Sequence, residues 1–129
     1  MITPKYVREI PQRYRLEAAK CVSCGNISFP PRLVCPKCKG REFETIKLSD
    51  EGKILTYTII RVAPDNFSHQ SPYGVAVVET KEGAKLMAMI ADTKIEDIAI
   101  GKNVKIVFRK IQDEGVSGIH CYGYKAVVV

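Results

Sequence analysis

Between residues 53 and 62 the chain alternates, with Ile54, Thr56, Thr58, Ile60 and Val62 on one face and Leu55, Tyr57, Ile59 and Arg61 on the other. A period of two over this length predicts a strand with one buried face. Residues 73–80, 85–91, 103–111 and 118–128 carry the same β-branched and aromatic enrichment and predict four more strands. Glu82-Gly83 is a tight hairpin turn, residues 63–72 form a long polar connection, and residues 92–101 form a second one with room for a helical turn. Phe43, Ile46 and Leu48 begin this β region. Strands of this length, with two hairpin-like links and one longer crossing, predict a small closed five-stranded Greek-key barrel of the OB type.

The first forty residues follow a different pattern. Tyr6, Val7 and Ile10 stand at helical spacing behind Thr3, an expected N-cap, with Pro4 at the first helical position. Pro11 is expected to end or kink that helix. Residues 15–20 read as an extended lead-in, and Phe29-Pro30-Pro31-Arg32 as a stiff extended finger, because each proline fixes its own φ and keeps the preceding residue out of the helical region. The expected class is therefore mainly β, in three parts: an N-terminal helix over 1–14, a small ribbon over 15–42 and the OB-fold domain over 43–129.

Two C-x-x-C pairs, Cys21 with Cys24 and Cys35 with Cys38, define the ribbon. This spacing lets one short ribbon surround a tetrahedral ion with four sulfurs. Gly25, and Pro36 with Gly40, supply tight turns whose N–H groups can face thiolates. Four thiolates leave no position for water or substrate, so the expected metal is a structural Zn2+, with iron in a rubredoxin-like electron carrier as the alternative. The fifth cysteine, Cys121, lies alone in an apolar, aromatic segment and reads as a small buried hydrophobe.

The formal net charge of +6 is unevenly placed. Residues 1–48 carry ten Lys and Arg against four Asp and Glu, whereas the remainder is balanced. Zinc with four thiolates adds about −2, which leaves the basic half near +4, a modest patch. No stretch is long and apolar enough to cross a bilayer, and residues 1–14 are charged where a signal peptide needs an apolar core. A cytoplasmic protein is expected, in keeping with thiolate ligands.

An enzyme active site is hard to assemble from these residues. The histidines are His69, in the long polar connection, and His120, in the last strand, and no P-loop, H-E-x-x-H or G-x-G-x-x-G is present. His69 reads as a solvated loop side chain, and Asp92, Glu96 and Asp97 as caps or loop acids. Single-stranded nucleic-acid binding is the alternative function, since zinc ribbons and OB barrels both serve it. Against it, the barrel half is neutral, and Tyr57, Tyr73, Phe108, Tyr122 and Tyr124 are equally suited to packing.

The run RYRLEAAKCVSCGNISFPPRLVCPKC carries Arg13-Tyr14, Leu16, C-x-x-C-G, F-P-P-R and C-P-x-C, and the barrel adds Pro72-Tyr73, Gly101, Val104 and Phe108. In these features, over essentially its whole length, the chain resembles the zinc-ribbon and OB-fold family of acyl-CoA-associated proteins, formerly a domain of unknown function. Ser71 departs from the second proline or apolar residue that members often have before Pro72. The resemblance implies a non-catalytic scaffold for thiolase-superfamily enzymes. In archaea it implies the component joining acetoacetyl-CoA thiolase to 3-hydroxy-3-methylglutaryl-CoA (HMG-CoA) synthase, at the head of the mevalonate pathway. The implied partner contacts are Tyr6, Arg8, Arg13 and Tyr14 on the helix and Phe29, Pro30, Pro31 and Arg32 on the finger, with Phe67 and Tyr73 at the barrel loop. CoA or acyl-CoA is the implied shared ligand, its phosphates near Arg15, Lys20, Arg32, Lys37 or Lys39.

Overall fold

The computed structural model describes residues 4–129. Two short helices, α1 (Lys5–Arg8) and α2 (Ile10–Arg15), open the chain. The expected Thr3 cap lies outside the described residues. The first helix breaks ahead of Pro11, as expected, but helical structure then resumes: Pro11 occupies the first turn of α2, where its missing N–H would have had no partner and its φ is already helical. Helix α2 therefore runs through Arg15, read above as extended. It stops at Leu16, whose φ of 52° is left-handed. That conformation costs a non-glycine residue roughly 1–2 kcal/mol. Burial of the Leu16 side chain in the core holds it there, as does the Leu48 N–H donated to the Leu16 carbonyl at 2.9 Å.

Strands β1 (Glu17–Cys21), β2 (Ile27–Ser28) and β3 (Phe43–Lys47) form an antiparallel sheet in the order β2-β1-β3. Phe43–Lys47, expected to begin the barrel, is thus the third strand of the ribbon, pairing from Cys21↔Phe43 to Glu17↔Lys47. Hydrophobic periodicity marks a strand but does not name its partner.

The second sheet holds β4 (Glu51–Ile60), β5 (Tyr73–Thr80), β6 (Lys85–Met89), β7 (Asn103–Asp113) and β8 (His120–Val128) in the order β6-β5-β4-β7-β8. It closes through a parallel bridge between Ile90 and Ala126, with the Ala91 N–H donated to the Ala126 carbonyl at 2.8 Å. This is the expected five-stranded barrel. Its polar connections contain 3-10 turns at Asp65–Gln70 and Ile95–Asp97. The alternation expected along β4 breaks at Leu55, which is skipped where the pairing with β5 passes from Ile54↔Val78 to Thr56↔Val77. One extra residue moves every later side chain to the other face. Ile54 and then Ile59 therefore meet the core, while Thr56 and Thr58 are exposed.

One apolar cluster unites both sheets, with Leu16, Ala18 and Leu48 contiguous with Ile54, Val78, Leu86, Val104 and Ala126. Among the described residues no helix is long and apolar enough to cross a membrane.

Gly52 marks a tight point of the barrel wall, since a Cβ there would lie 2.7 Å from both the Glu79 carbonyl oxygen and Val78 Cγ1. Gly52→Ala is expected to lower stability by about 1–3 kcal/mol through overpacking against backbone. Chemical denaturation of the zinc-loaded protein measures it, and an unchanged midpoint would contradict the packing described.

Candidate metal centre

Cys21 ends β1, and the chain turns back at once through a knuckle in which Gly25 donates its N–H to the Cys21 carbonyl at 2.9 Å and Cys21 donates its own to Asn26 at 2.8 Å. The second knuckle repeats this pattern: Lys39 donates to the Cys35 carbonyl at 3.0 Å, and Cys35 donates to Gly40 at 2.8 Å. The left-handed position falls on Gly25 in the first turn, as expected, but on Lys39 in the second, with φ of 76° and 63°. Gly40 is needed for a different reason, because a Cβ there would press on Cys38 Sγ at 3.2 Å and Cys21 Sγ at 3.6 Å.

The two turns bring the four sulfurs together, with Cys21 Sγ 3.4 Å from Cys38 Sγ, Cys24 Sγ 3.5 Å from Cys35 Sγ, and all four within 4.8 Å of one another. A tetrahedron built on a Zn–S bond of about 2.3 Å has edges of about 3.8 Å, within this range. Cys21 and Cys35 are buried and Cys24 and Cys38 exposed, so the ion would sit at the ribbon surface with two ligands rooted inside.

Backbone N–H groups tune the thiols. The Cys24 amide, with that of Ser23, holds Cys21 below the ordinary thiol range, and the Cys38 amide, with that of Lys37, holds Cys35 at about 6. The Gly40 amide draws Cys38 down as well, but the sulfurs of Cys21, Cys24 and Cys35 outweigh it and push Cys38 up to about 12. The turns thus draw two of the thiols toward the thiolate form that a metal requires, while crowding opposes the loss of a proton from Cys38 until a cation neutralises the cluster. These residues suit a zinc ion whose coordination is complete, which organises the ribbon and performs no chemistry.

The remaining candidates fall in two places. Arg13, Phe29, Pro30 and Pro31 line one groove of about 560 Å³ with Leu33 and Tyr124, and the Arg13 guanidinium lies 5.1 Å over the Tyr6 ring. Tyr14 meets Phe108 edge to face at 5.3 Å yet remains 67% exposed. Phe29 is not a free finger residue, since it packs against Tyr124 of β8 at 5.3 Å and joins the core. Arg8 and Arg32 are exposed outside that groove. Phe67 and Tyr73 pair with each other at 6.2 Å on the barrel, away from the helix and finger residues.

His120 bonds Asp113 through Nδ1, an exposed pair between the ends of β7 and β8, and His69 is exposed beside Gln70. Cys121 is buried, and burial pushes its thiol up, as suits a core residue. Sequence reasoning missed Leu33, which is 90% exposed at the groove's rim, and the exposed Val22 and Val34 beside the ligands. Their signal was available: three large apolar residues in a loop segment with no strand or helix period.

Comparison with known proteins agrees with this geometry. The ChsH2 rubredoxin-like zinc ribbon domain matches residues 8–44, and the ChsH2 C-terminal OB-fold domain matches residues 45–109. A DUF35 domain-containing scaffold protein of Methanocaldococcus jannaschii is 47% identical over 119 residues, 92% of this chain and 84% of that protein. The benzoylsuccinyl-CoA thiolase subunit BbsA of Thauera aromatica is 32% identical over 79 residues, 58% of this chain and 51% of that one. Among solved structures, the Ltp2-ChsH2(DUF35) aldolase superposes with a TM-score of 0.75 at 24% identity, covering 96% of this chain and 91% of that one, a likeness of fold.

The purified chain is expected to carry one zinc per molecule by elemental analysis. Cys21→Ser or Cys35→Ser should lose the metal and expose the ribbon amides to rapid hydrogen exchange, while the barrel amides stay protected. Retention of stoichiometric zinc by both variants would contradict the four-sulfur assignment.

Proposed function

Because the chain belongs to the DUF35 family of ChsH2-type zinc-ribbon and OB-fold proteins, we propose that it is a non-catalytic scaffold joining acetoacetyl-CoA thiolase to HMG-CoA synthase, so that acetoacetyl-CoA passes directly between them. The observation that carries this reading is the kinship with archaeal proteins named as scaffolds, 47% identical over 92% of the chain in the first of them. A shared segment with a thiolase subunit supports acyl-CoA enzymes as the partner class. The bridge has a physical purpose. Condensation of two acetyl-CoA is uphill, and holding the synthase beside the thiolase raises the effective concentration of the intermediate at the step that draws it forward.

The site's geometry suits that role better than catalysis or strand binding. Among the described residues the cluster with metal-ligating geometry is the four-sulfur centre, which would close completely around a metal. Of the barrel aromatics that a single strand would stack on, Phe108 is already engaged by Tyr14 and Tyr122, Tyr124 by Phe29 and Tyr73 by Phe67, and Tyr57 alone of the five stays exposed without an aromatic partner. The helix-and-finger groove instead offers an Arg stacked on Tyr, side-chain types enriched among interface anchors, beside a prominent exposed leucine. Lys20, Arg32, Lys37 and Lys39 form no ion pair within the described residues, which leaves them available to a partner or to the phosphates of a CoA it holds.

Leu33→Asp tests the reading without touching the core. The variant should fold and bind zinc normally, yet retain thiolase and synthase from nuclease-treated native extract at least about tenfold less well than wild type. Undiminished capture would remove the groove as the interface. Capture of nucleic-acid-processing proteins from a parallel untreated extract, lost on nuclease treatment and steeply salt-dependent, would replace the scaffold reading altogether.

A further inference from the structure

Away from the ribbon, a pocket of about 440 Å³ opens where the strand end after β6 meets β8 and the first barrel loop. Its wall includes Gln70, Tyr73, Asp92, Ile98, Arg109 and Lys125, with Lys110 at its edge. The charges do not balance. Arg109 is committed to Asp92 at 2.6 Å, and Lys110 to Asp113, outside the pocket lining, at 2.9 Å. Lys125 is left over, although it is the most buried of the three cations at 8% exposure. Its ammonium makes one long hydrogen bond, 3.3 Å to Gln70 Oε1, and no carboxylate of the described residues lies within 4.0 Å of it.

An ammonium has three protons to donate, and a charge held largely out of water is ordinarily paired, whereas a single amide oxygen answers only one of those protons. Desolvation, together with the nearby Arg109 charge, accordingly holds the Lys125 ammonium below the ordinary lysine range, with Asp92 acting weakly in the other direction. A ligand oxyanion would supply the missing acceptor. The rest of the wall defines what else the ligand carries, for Tyr73 and Ile98 offer an apolar or planar group a surface beside the cation.

We propose that this pocket binds a small organic anion, its carboxylate or phosphate received by Lys125 beside the Arg109–Asp92 pair and its apolar portion lying against Tyr73 and Ile98. The site is separate from the helix-and-finger groove and does not rest on the partner reading, since none of its lining residues belongs to the ribbon.

Titration of the full-length, zinc-loaded protein with benzoate, phenyl phosphate and inorganic phosphate, at constant ionic strength against chloride, tests it by amide chemical shifts. Saturable shifts should concentrate in residues 70–74, 90–98, 109–110 and 125. The tighter of benzoate and phenyl phosphate identifies the oxyanion, and inorganic phosphate should bind more weakly than the phenyl ester. Lys125→Met should weaken binding at least about tenfold, while Lys125→Arg and the exposed control Lys85→Met should remain near wild type. Absence of saturable shifts with all three probes, or shifts spread evenly over surface lysines, overturns the proposal on the wild-type chain alone. Equal affinity in a folded Lys125→Met protein overturns it as well.

Discussion

The ribbon has no core of its own, and the rest of the structure depends on the one it shares with the barrel. Leu16 and Ala18 at the start of β1, and Leu48 just after β3, are buried in the same cluster as Ile54, Val78 and Val104, with Ile27, Phe29 and Ile46 packed at its edge. A segment this short cannot remove enough apolar surface from water by itself. It is fixed at two ends instead, by four sulfurs at the tip and by the barrel at the base. The left-handed backbone at Leu16 follows from this arrangement: the chain must reverse from α2 into β1 while its leucine stays inside, and burial outweighs a strain of roughly 1–2 kcal/mol.

Shared packing also explains how the helices and the finger present a defined surface. Tyr14 on Phe108 and Phe29 on Tyr124 tie the helices and the finger to β7 and β8, so the groove between them is set by the barrel rather than by loose loops. Side chains held before binding lose less entropy when a partner arrives. The metal centre extends that order to the outer end of the ribbon, where the knuckle amides are already aimed at sulfur.

What was legible in the sequence was what is local. Two knuckles at fixed spacing, alternating strands and a Glu82-Gly83 turn depend on neighbours within a few residues, and each stands where it was expected. Readings that required a distant partner fared differently. Phe43–Lys47 has the composition of a barrel strand but finds β1 across some twenty-five residues, and nothing in its pattern distinguishes the two. The bulge at Leu55 leaves the alternation intact on paper while reversing which half of it is buried. Pro11 interrupts the helix as expected, α1 stopping at Arg8, but the same residue type also fits the first turn of a new helix, and only the backbone of Glu9 and Ile10 shows that α2 follows. Phe29 looked like a free anchor because its ring partner, Tyr124, lies near the far end of the chain.

The surface that remains is hard to account for by the fold alone. Leu33 is 90% exposed in a segment fixed on one side by Pro30 and Pro31 and on the other by Cys35, so it has little freedom to turn inward. A single exposed leucine needs no explanation, but this one shares a groove with Pro30, Pro31 and the Arg13 that stacks on Tyr6, and exposed valines flank the metal ligands. Lys20, Arg32, Lys37 and Lys39 in the ribbon form no ion pair within the described residues, although Arg15 pairs with Glu17. On the proposed reading, an apolar tip on a ribbon that carries unmatched positive charge suits an acidic-rimmed protein pocket better than a nucleic acid, because phosphate backbones answer the charge but offer nothing to the leucine. The ribbon end would then serve association, while the barrel supplies the core that holds it in place.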